Sequence, residues 1–167
     1  LGKAYALAFA AEGANVVVND IRVESAEAVR DEIIAAGGNA IATCDDITRM
    51  ETAQKIVDAA IAAYGEVHAL VNNAGIVRDR MFVSMSEDDW DQVMRVHLRG
   101  HFCLANILCR RWRDQSKAGT PVDARIINTT SGAGLQGSIG QSNYSAAKGG
   151  IATLTLVQAA ELGRYGI

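Results

Sequence analysis

The sequence predicts an α/β fold built on a doubly wound parallel sheet with helices on both faces. Two observations lead there. Short apolar runs rich in β-branched residues, such as "NVVVND" (Asn15 to Asp20), alternate along the whole chain with stretches of helical periodicity. Glycines or polar loops punctuate nearly every junction, and no internal repeat intervenes.

Residues 3–12 read as a helix closed by Gly13, and "NVVVND" as a strand buried on both faces. A helix over residues 24–36 ends at Gly37-Gly38. The strand "AIATC" and the acidic turn Asp45-Asp46 follow. In residues 49–64, Ala53, Ile56, Val57, Ala60 and Ile61 recur at helical spacing. "HALVNNAG" gives the next strand and its exit loop. Ser86 with Asp89 three residues later predicts a capped helix start, and the helix runs to about Gln115. A loop holding Gly119 and the only proline, Pro121, leads to the strand "ARIINTT", and Ala146 to Arg164 form the last helix. Both ends read as interior to a domain: no strand precedes the helix that Gly2 opens, and Ile167 stops where another strand is expected. A segment limited to these residues is therefore expected to be inactive.

Composition narrows the function classes. A chain of 167 residues, 49% of them hydrophobic, suits one domain with a packed core rather than a disordered polymer. The net charge of -3, without a basic cluster beyond "CRRWR" (Cys109 to Arg113), argues against nucleic acid or an anionic membrane as partner. "CRRWR" itself reads as a solvated helix end. The apolar runs are too short to span a bilayer, and no signal peptide is legible. Cys44, Cys103 and Cys109 lack metal spacing and read as buried, reduced thiols of a cytoplasmic protein. Asn128-Thr129-Thr130 matches a glycosylation sequon but lies in an apolar strand, so it is set aside.

The stretch "SGAGLQGSIGQSNYSAAK" (Ser131 to Lys148) carries two signals. Gly132, Gly134 and Gly137 spell G-x-G-x-x-G. A dinucleotide loop, however, needs a helix directly after it and an acidic strand tip about 20 residues on. Here about eight residues of non-helical character follow, and Leu156 to Gln158 fall inside a helix. The better candidate is Gly2, which opens the first helix, with Asp20 at the tip of the next strand. A carboxylate there accepts ribose hydroxyls and repels a 2′-phosphate, which favours NAD over NADP. Arg22, close by, softens that repulsion. On this reading, residues 1–167 form a single dinucleotide-binding domain.

Tyr144 and Lys148, at i and i+4, share one face of a helix start. An unperturbed tyrosine titrates near about pH 10, and an ammonium one turn away favours the phenolate. Such a pair suits proton transfer to a substrate oxygen while hydride moves to or from a nicotinamide. Ser131, at a strand end, is placed to donate a hydrogen bond to the same oxygen. Alone, Y-x-x-x-K also describes a surface tyrosine beside a surface lysine.

"NNAG" (Asn72 to Gly75), "DDIT" with Asp46, the serine followed by Y-S-A-A-K, and the Gly2 helix occur in one order. In that order the sequence resembles the short-chain dehydrogenase/reductase family over its whole length, which implies a Rossmann-like fold. "RDRMF", "WDQVMRVHLRGHF" and "GQSNYSAAK" are most similar to the branch of hydroxyacyl-CoA dehydrogenases found in multifunctional enzyme type 2 and its bacterial relatives. The resemblance implies that Ser131, Tyr144 and Lys148 are catalytic and that Tyr144 and Lys148 also face the cofactor, Lys148 at the nicotinamide ribose. It implies that Asp46 and Ile47 border the adenine, that Asn73, Ala74 and Gly75 line the cofactor cleft, and that Leu1 and Gly2 are the remnant of a glycine-rich turn. His97 stands where the family usually has an asparagine that helps hold a water beside the catalytic lysine. Its ring can relay protons, or it can pack in a helix core; both readings stay open here. His68 and His101 read as core or surface positions, and Trp90 and Trp112 as different phases of one helix. The family also implies a homodimer or homotetramer through the long helix and the Tyr144 helix.

The function implied is NAD(H)-dependent interconversion of a secondary alcohol and a ketone, with a 3-hydroxyacyl thioester as candidate substrate. Within the class, the alternatives are a 3-oxoacyl-carrier-protein reductase and a steroid or terpenoid alcohol dehydrogenase. Outside it stands a non-catalytic, nucleotide-sensing protein that kept the fold.

Overall fold

The computed structural model describes residues 1–167, which divide into two compact units. The first comprises Leu1–Asp46 with Met50–Val67, and the second Ile47–Arg49 with His68–Ile167.

In the first unit, helix α1 (Gly2–Ala11) leads to strand β1 (Asn15–Asn19), helix α2 (Val23–Ala35), strand β2 (Asn39–Thr43) and helix α3 (Met50–Tyr64). β1 and β2 pair in parallel, from Asn15 opposite Asn39 to Asn19 opposite Thr43, so α2 is a crossover helix. The apolar stripe of each helix turns inward. Ala26 and Ile33 of α2 are fully buried, and Ala53, Ile56, Val57 and Ala60 of α3 are buried as their spacing predicted. Ile61 is only half-buried.

The second unit holds strand β3 (Ala69–Asn72), helix α4 (Glu87–Met94), helix α5 (Gly100–Lys117), strand β4 (Arg125–Asn128), helix α6 (Gly132–Gln136) and helix α7 (Ser142–Leu162). β3 and β4 are again parallel, from Ala69 opposite Arg125 to Asn72 opposite Asn128. The core here is Val93, Cys103, Leu104, Ala105, Leu108, Trp112, Ala147 and Ile151. The predicted Ser86 cap forms: the Asp89 N–H donates to Ser86 Oγ at 3.1 Å.

Several expectations need correction. The single long helix is interrupted by a π-turn, Arg95–Arg99, between α4 and α5. Such a turn adds a residue to the helical spiral and is often retained where a side chain must be aimed. The stretch after Ser131 is not loop throughout, because "GAGLQ" winds into α6 and α7 begins at Ser142 rather than Ala146. Gly-rich sequence hid both, since glycine propensity argues against helix unless tertiary contacts override it. Cys44 is exposed, whereas Cys103 is buried and Cys109 half-buried. His101 is a core residue and His68 a surface one.

Candidate active site

The ends of β3 and β4 carry a group of polar residues. Beyond β4 the chain reaches Thr129, Thr130 and Ser131, and β3 runs out into Asn73, Ala74 and Gly75. Asn72, buried at the tip of β3, donates from Nδ2 to Asn128 Oδ1 at 3.0 Å and accepts from the Thr129 N–H at its carbonyl. Asn128 donates in turn to Thr155 Oγ1 and Gln158 Oε1 of α7. These bonds satisfy amides that would otherwise be costly to bury, and they fix α7 against both strand ends.

Lys148 lies on the buried side of α7, 3% exposed, and donates from Nζ to the Thr129 carbonyl at 2.6 Å. Burial pulls its ammonium below the usual lysine range. Thr130 Oγ1 donates to the Lys148 carbonyl at 2.7 Å, so the lysine is clamped at both ends. Its Nζ stands 5.6 Å from the centre of the Tyr144 ring. Ser131 caps α6, its Oγ accepting from the Ala133 N–H at 3.3 Å. The hydroxyl keeps its own proton for donation.

Gly134 explains what the glycine-rich stretch is for. A Cβ there would lie 2.5 Å from the Lys148 carbonyl carbon and 2.6 Å from Gly149 N. The glycine lets α6 lie directly on the backbone of α7 beside the lysine; it packs helix to helix and need not face a phosphate.

Asn143, which sequence reasoning passed over, sets the start of α7. It is fully buried, donates from Nδ2 to the carbonyls of Arg78 (3.1 Å) and Asp89 (3.0 Å), and accepts the Tyr144 N–H on Oδ1 at 2.7 Å. The only signal was an amide directly before the tyrosine in a segment of small residues. Asn143→Leu removes the amide's bonds to two carbonyls and one N–H, and a buried polar group left unsatisfied costs about 1–3 kcal/mol. A thermal melt should show a loss of several degrees, and turnover should fall with it; an unchanged melt contradicts this role.

His97 is buried at the centre of the π-turn, and burial together with the Lys148 charge holds its ring below the ordinary histidine range. His101, one turn on, is 1% exposed and pushed down to about 4, mainly by burial. It lies near the carbonyls of His97 and Asn72, yet neither ring nitrogen makes a hydrogen bond of good geometry. Ile47 packs on α5, since a Cβ at Gly100 would meet its Cδ1 at 2.8 Å.

Other expected cofactor residues lie in the first unit. Gly2 opens α1 and Leu1 precedes it, 82% exposed. Asp20 follows β1; its N–H donates to the Thr43 carbonyl, and its Oδ1 accepts from the Arg22 N–H at 2.9 Å with Arg22 Nε at 3.6 Å. Asn19 shapes the neighbouring turn, linking Thr43 Oγ1 and the backbone of Asp45, while the Asp46 carbonyl accepts from Thr52 Oγ1. A cleft of about 630 Å³ in the second unit, lined by Thr48, Arg49, Asp88, Asp91, Arg95 and Arg99 among others, includes none of Ser131, Tyr144 or Lys148.

Ser131, Tyr144 and Lys148 lie in the second unit, Ser131 just past β4 and the Lys148 amine on the Thr129 carbonyl beside the Tyr144 ring. A family model described as short chain dehydrogenase matches residues 1–167.

The chain belongs to the short-chain dehydrogenase family.

Among short-chain dehydrogenases and related proteins, hydroxyacyl-CoA dehydrogenase ChsB1 of Mycobacterium tuberculosis is 48% identical over 174 residues, covering 100% of this chain and 55% of that relative. The peroxisomal hydratase-dehydrogenase-epimerase of Neurospora crassa is 43% identical over 176 residues, covering 100% of this chain and 19% of that one. A crystal structure of a short chain dehydrogenase from Mycobacterium avium superposes with a TM-score of 0.97 at 56% identity, over 99% of this chain and 62% of that chain. The chain thus spans about half the length of the first of these relatives and a fifth of the second. The structural match bears out the Rossmann-like α/β fold. No helix of this short-chain dehydrogenase is long and apolar enough to cross a membrane.

Proposed function

We propose that the protein is a nicotinamide-dependent oxidoreductase that interconverts a secondary alcohol and a ketone, with a 3-hydroxyacyl thioester as substrate. The observation that carries this is the placement of Tyr144 and Lys148 one turn apart on α7, the amine fixed on the Thr129 carbonyl and Ser131 just past β4. In this reading Tyr144 Oη takes the carbinol proton as the alcohol is oxidised to the ketone. The Ser131 hydroxyl donates to the same oxygen, and the Lys148 ammonium stands beside the tyrosine ring. A nicotinamide cofactor supplies the hydride chemistry when bound.

The residues present suit such a cofactor. Lys148 is a buried cation at a strand end, and Tyr144 stands beside it for the nicotinamide ribose. Asn73, Ala74 and Gly75 leave the tip of β3, Gly2 begins a helix without a side chain, and Asp46 and Ile47 follow β2 for the adenine. Asp20, at the end of β1, suits ribose hydroxyls and favours NAD over NADP, while Arg22 on its Oδ1 limits that preference. A relative named for hydroxyacyl-CoA supports the thioester; a similarity to a 3-oxoacyl-carrier-protein reductase keeps the reverse reaction on a carrier-bound chain as the second reading. Exposed Phe102 on α5 and Leu156 and Val157 on α7 support a homo-oligomer. Reduced thiols suit a reducing setting such as the cytoplasm.

Nicotinamide reduction by the full-length protein, assayed with NAD and with NADP across 3-hydroxyacyl-CoA esters and simple secondary alcohols, tests the reading. Turnover should favour NAD, and Asp20→Ser should narrow that preference about tenfold. Nucleotide binding without turnover on any alcohol overturns the enzymatic reading in favour of a sensor.

A further inference from the structure

Gly75 and His97 are shaped around each other. A Cβ on Gly75 would lie 2.3 Å from His97 Cε1 and 3.1 Å from both ring nitrogens, so the imidazole fills the space a side chain at 75 would need. The ring is 1% exposed, and its Nε2 lies 2.8 Å from the Ile76 carbonyl oxygen and 3.1 Å from the Ile76 nitrogen. One nitrogen cannot serve both groups at once. Protonated, Nε2 donates to the carbonyl; unprotonated, it accepts from the N–H. Either tautomer commits it to the backbone of the same residue. On its other side, the imidazole meets the Tyr144 ring edge to face, with centroids 5.3 Å apart and planes at 89°. Nδ1 is buried without a hydrogen-bond partner.

From this packing we infer that His97 is a positioning residue, a ring that fastens the Asn73–Ile76 segment to the ring of Tyr144 and carries no proton in turnover. A relay passes protons through both ring nitrogens, and here Nε2 is committed to the Ile76 backbone in either tautomer. The π-turn supports the same role, because it aims residue 97 at Ile76 and Tyr144 from within an otherwise regular helical run. Gly75 follows as its necessary complement. Of the two readings left open for this histidine, fixed packing stands, with the added task of joining a cofactor segment to the tyrosine. The inference rests on the proposed oxidoreductase reading for its kinetic consequences and on packing alone for its structural ones.

Two measurements separate these layers. In the first, Gly75→Ala is made in the natural background and in His97→Ala. Thermal melts should show a clear loss of stability for Gly75→Ala alone and a much smaller one once the ring is gone. Equal losses in both backgrounds overturn the pairing, whether or not the protein has activity. In the second, His97→Asn keeps an amide able to donate to the Ile76 carbonyl or accept from its N–H, whereas His97→Leu keeps only bulk. Asparagine should hold kcat and the nucleotide KM within about threefold, with the pH profile of kcat unmoved. Leucine should raise the nucleotide KM about tenfold and lower kcat. A shifted pH profile or an enlarged solvent isotope effect in the asparagine variant makes the ring a relay and overturns the inference, as does a leucine variant with unchanged KM. If the natural protein turns over no alcohol, the enzymatic reading fails while the melting cycle still decides the pairing.

Discussion

Tyr144→Phe is expected to lower turnover by about 10²–10⁴-fold, the range that a positioned proton donor or acceptor contributes, and to leave nucleotide affinity within about twofold. The ring survives the change, so its edge-to-face contact with His97 and its place beside Lys148 are kept. Only the hydroxyl goes. The backbone of residue 144 stays anchored by Asn143, whose Oδ1 receives its N–H. A melt within about two degrees of the natural protein should accompany the kinetic loss, with ΔΔG‡ near about 3–5 kcal/mol from the rate ratio. Turnover reduced tenfold or less shows that another group handles the proton.

A second large effect concerns acid stability. His97 and His101 are both held below the ordinary histidine pKa, His101 down to about 4. In the unfolded chain each returns to about 6.5. Between those values the unfolded state binds more protons than the folded one, so stability rises with pH through that window and is lost as pH falls. Above about pH 6.5 the contribution is flat. His101 alone implies a loss on the order of 3 kcal/mol between pH 6.5 and 4, since each unit is worth about 1.4 kcal/mol. Denaturant midpoints across that range should fall steeply for the natural protein. In His101→Leu the slope should flatten, because the titrating ring and its two unsatisfied nitrogens are gone. An equally steep slope in the variant places the acid sensitivity elsewhere.

What the sequence disclosed follows from which signals are local. The strand β1 and the stripe of α3 were legible because β-branched residues and 3.6-residue spacing report directly on burial. The placement of Tyr144 and Lys148 one turn apart on a helix, with Ser131 past a strand end, was legible because it follows from local spacing. Helix α6 and the first turn of α7 were not, because glycines and serines disfavour helix locally, and the contact that makes Gly134 acceptable comes from Lys148 and Gly149, more than ten residues away. Asn143 was missed for the same reason. Its partners, Arg78 and Asp89, lie 65 and 54 residues from it in the chain. The π-turn has no local signature, and without it the orientation of His97 stayed open. The glycine at 75 looked like a loop residue, whereas its requirement is the imidazole lying against it.

The most direct test uses a secondary alcohol, or a 3-hydroxyacyl-CoA, deuterated at the carbinol carbon, incubated with the protein and NAD. Mass spectrometry of the recovered nucleotide should find one deuterium in the nicotinamide ring, formed by the natural protein at a rate that Tyr144→Phe cuts by orders of magnitude. Nucleotide that binds but leaves unlabelled, with the alcohol unchanged, contradicts hydride transfer at this site.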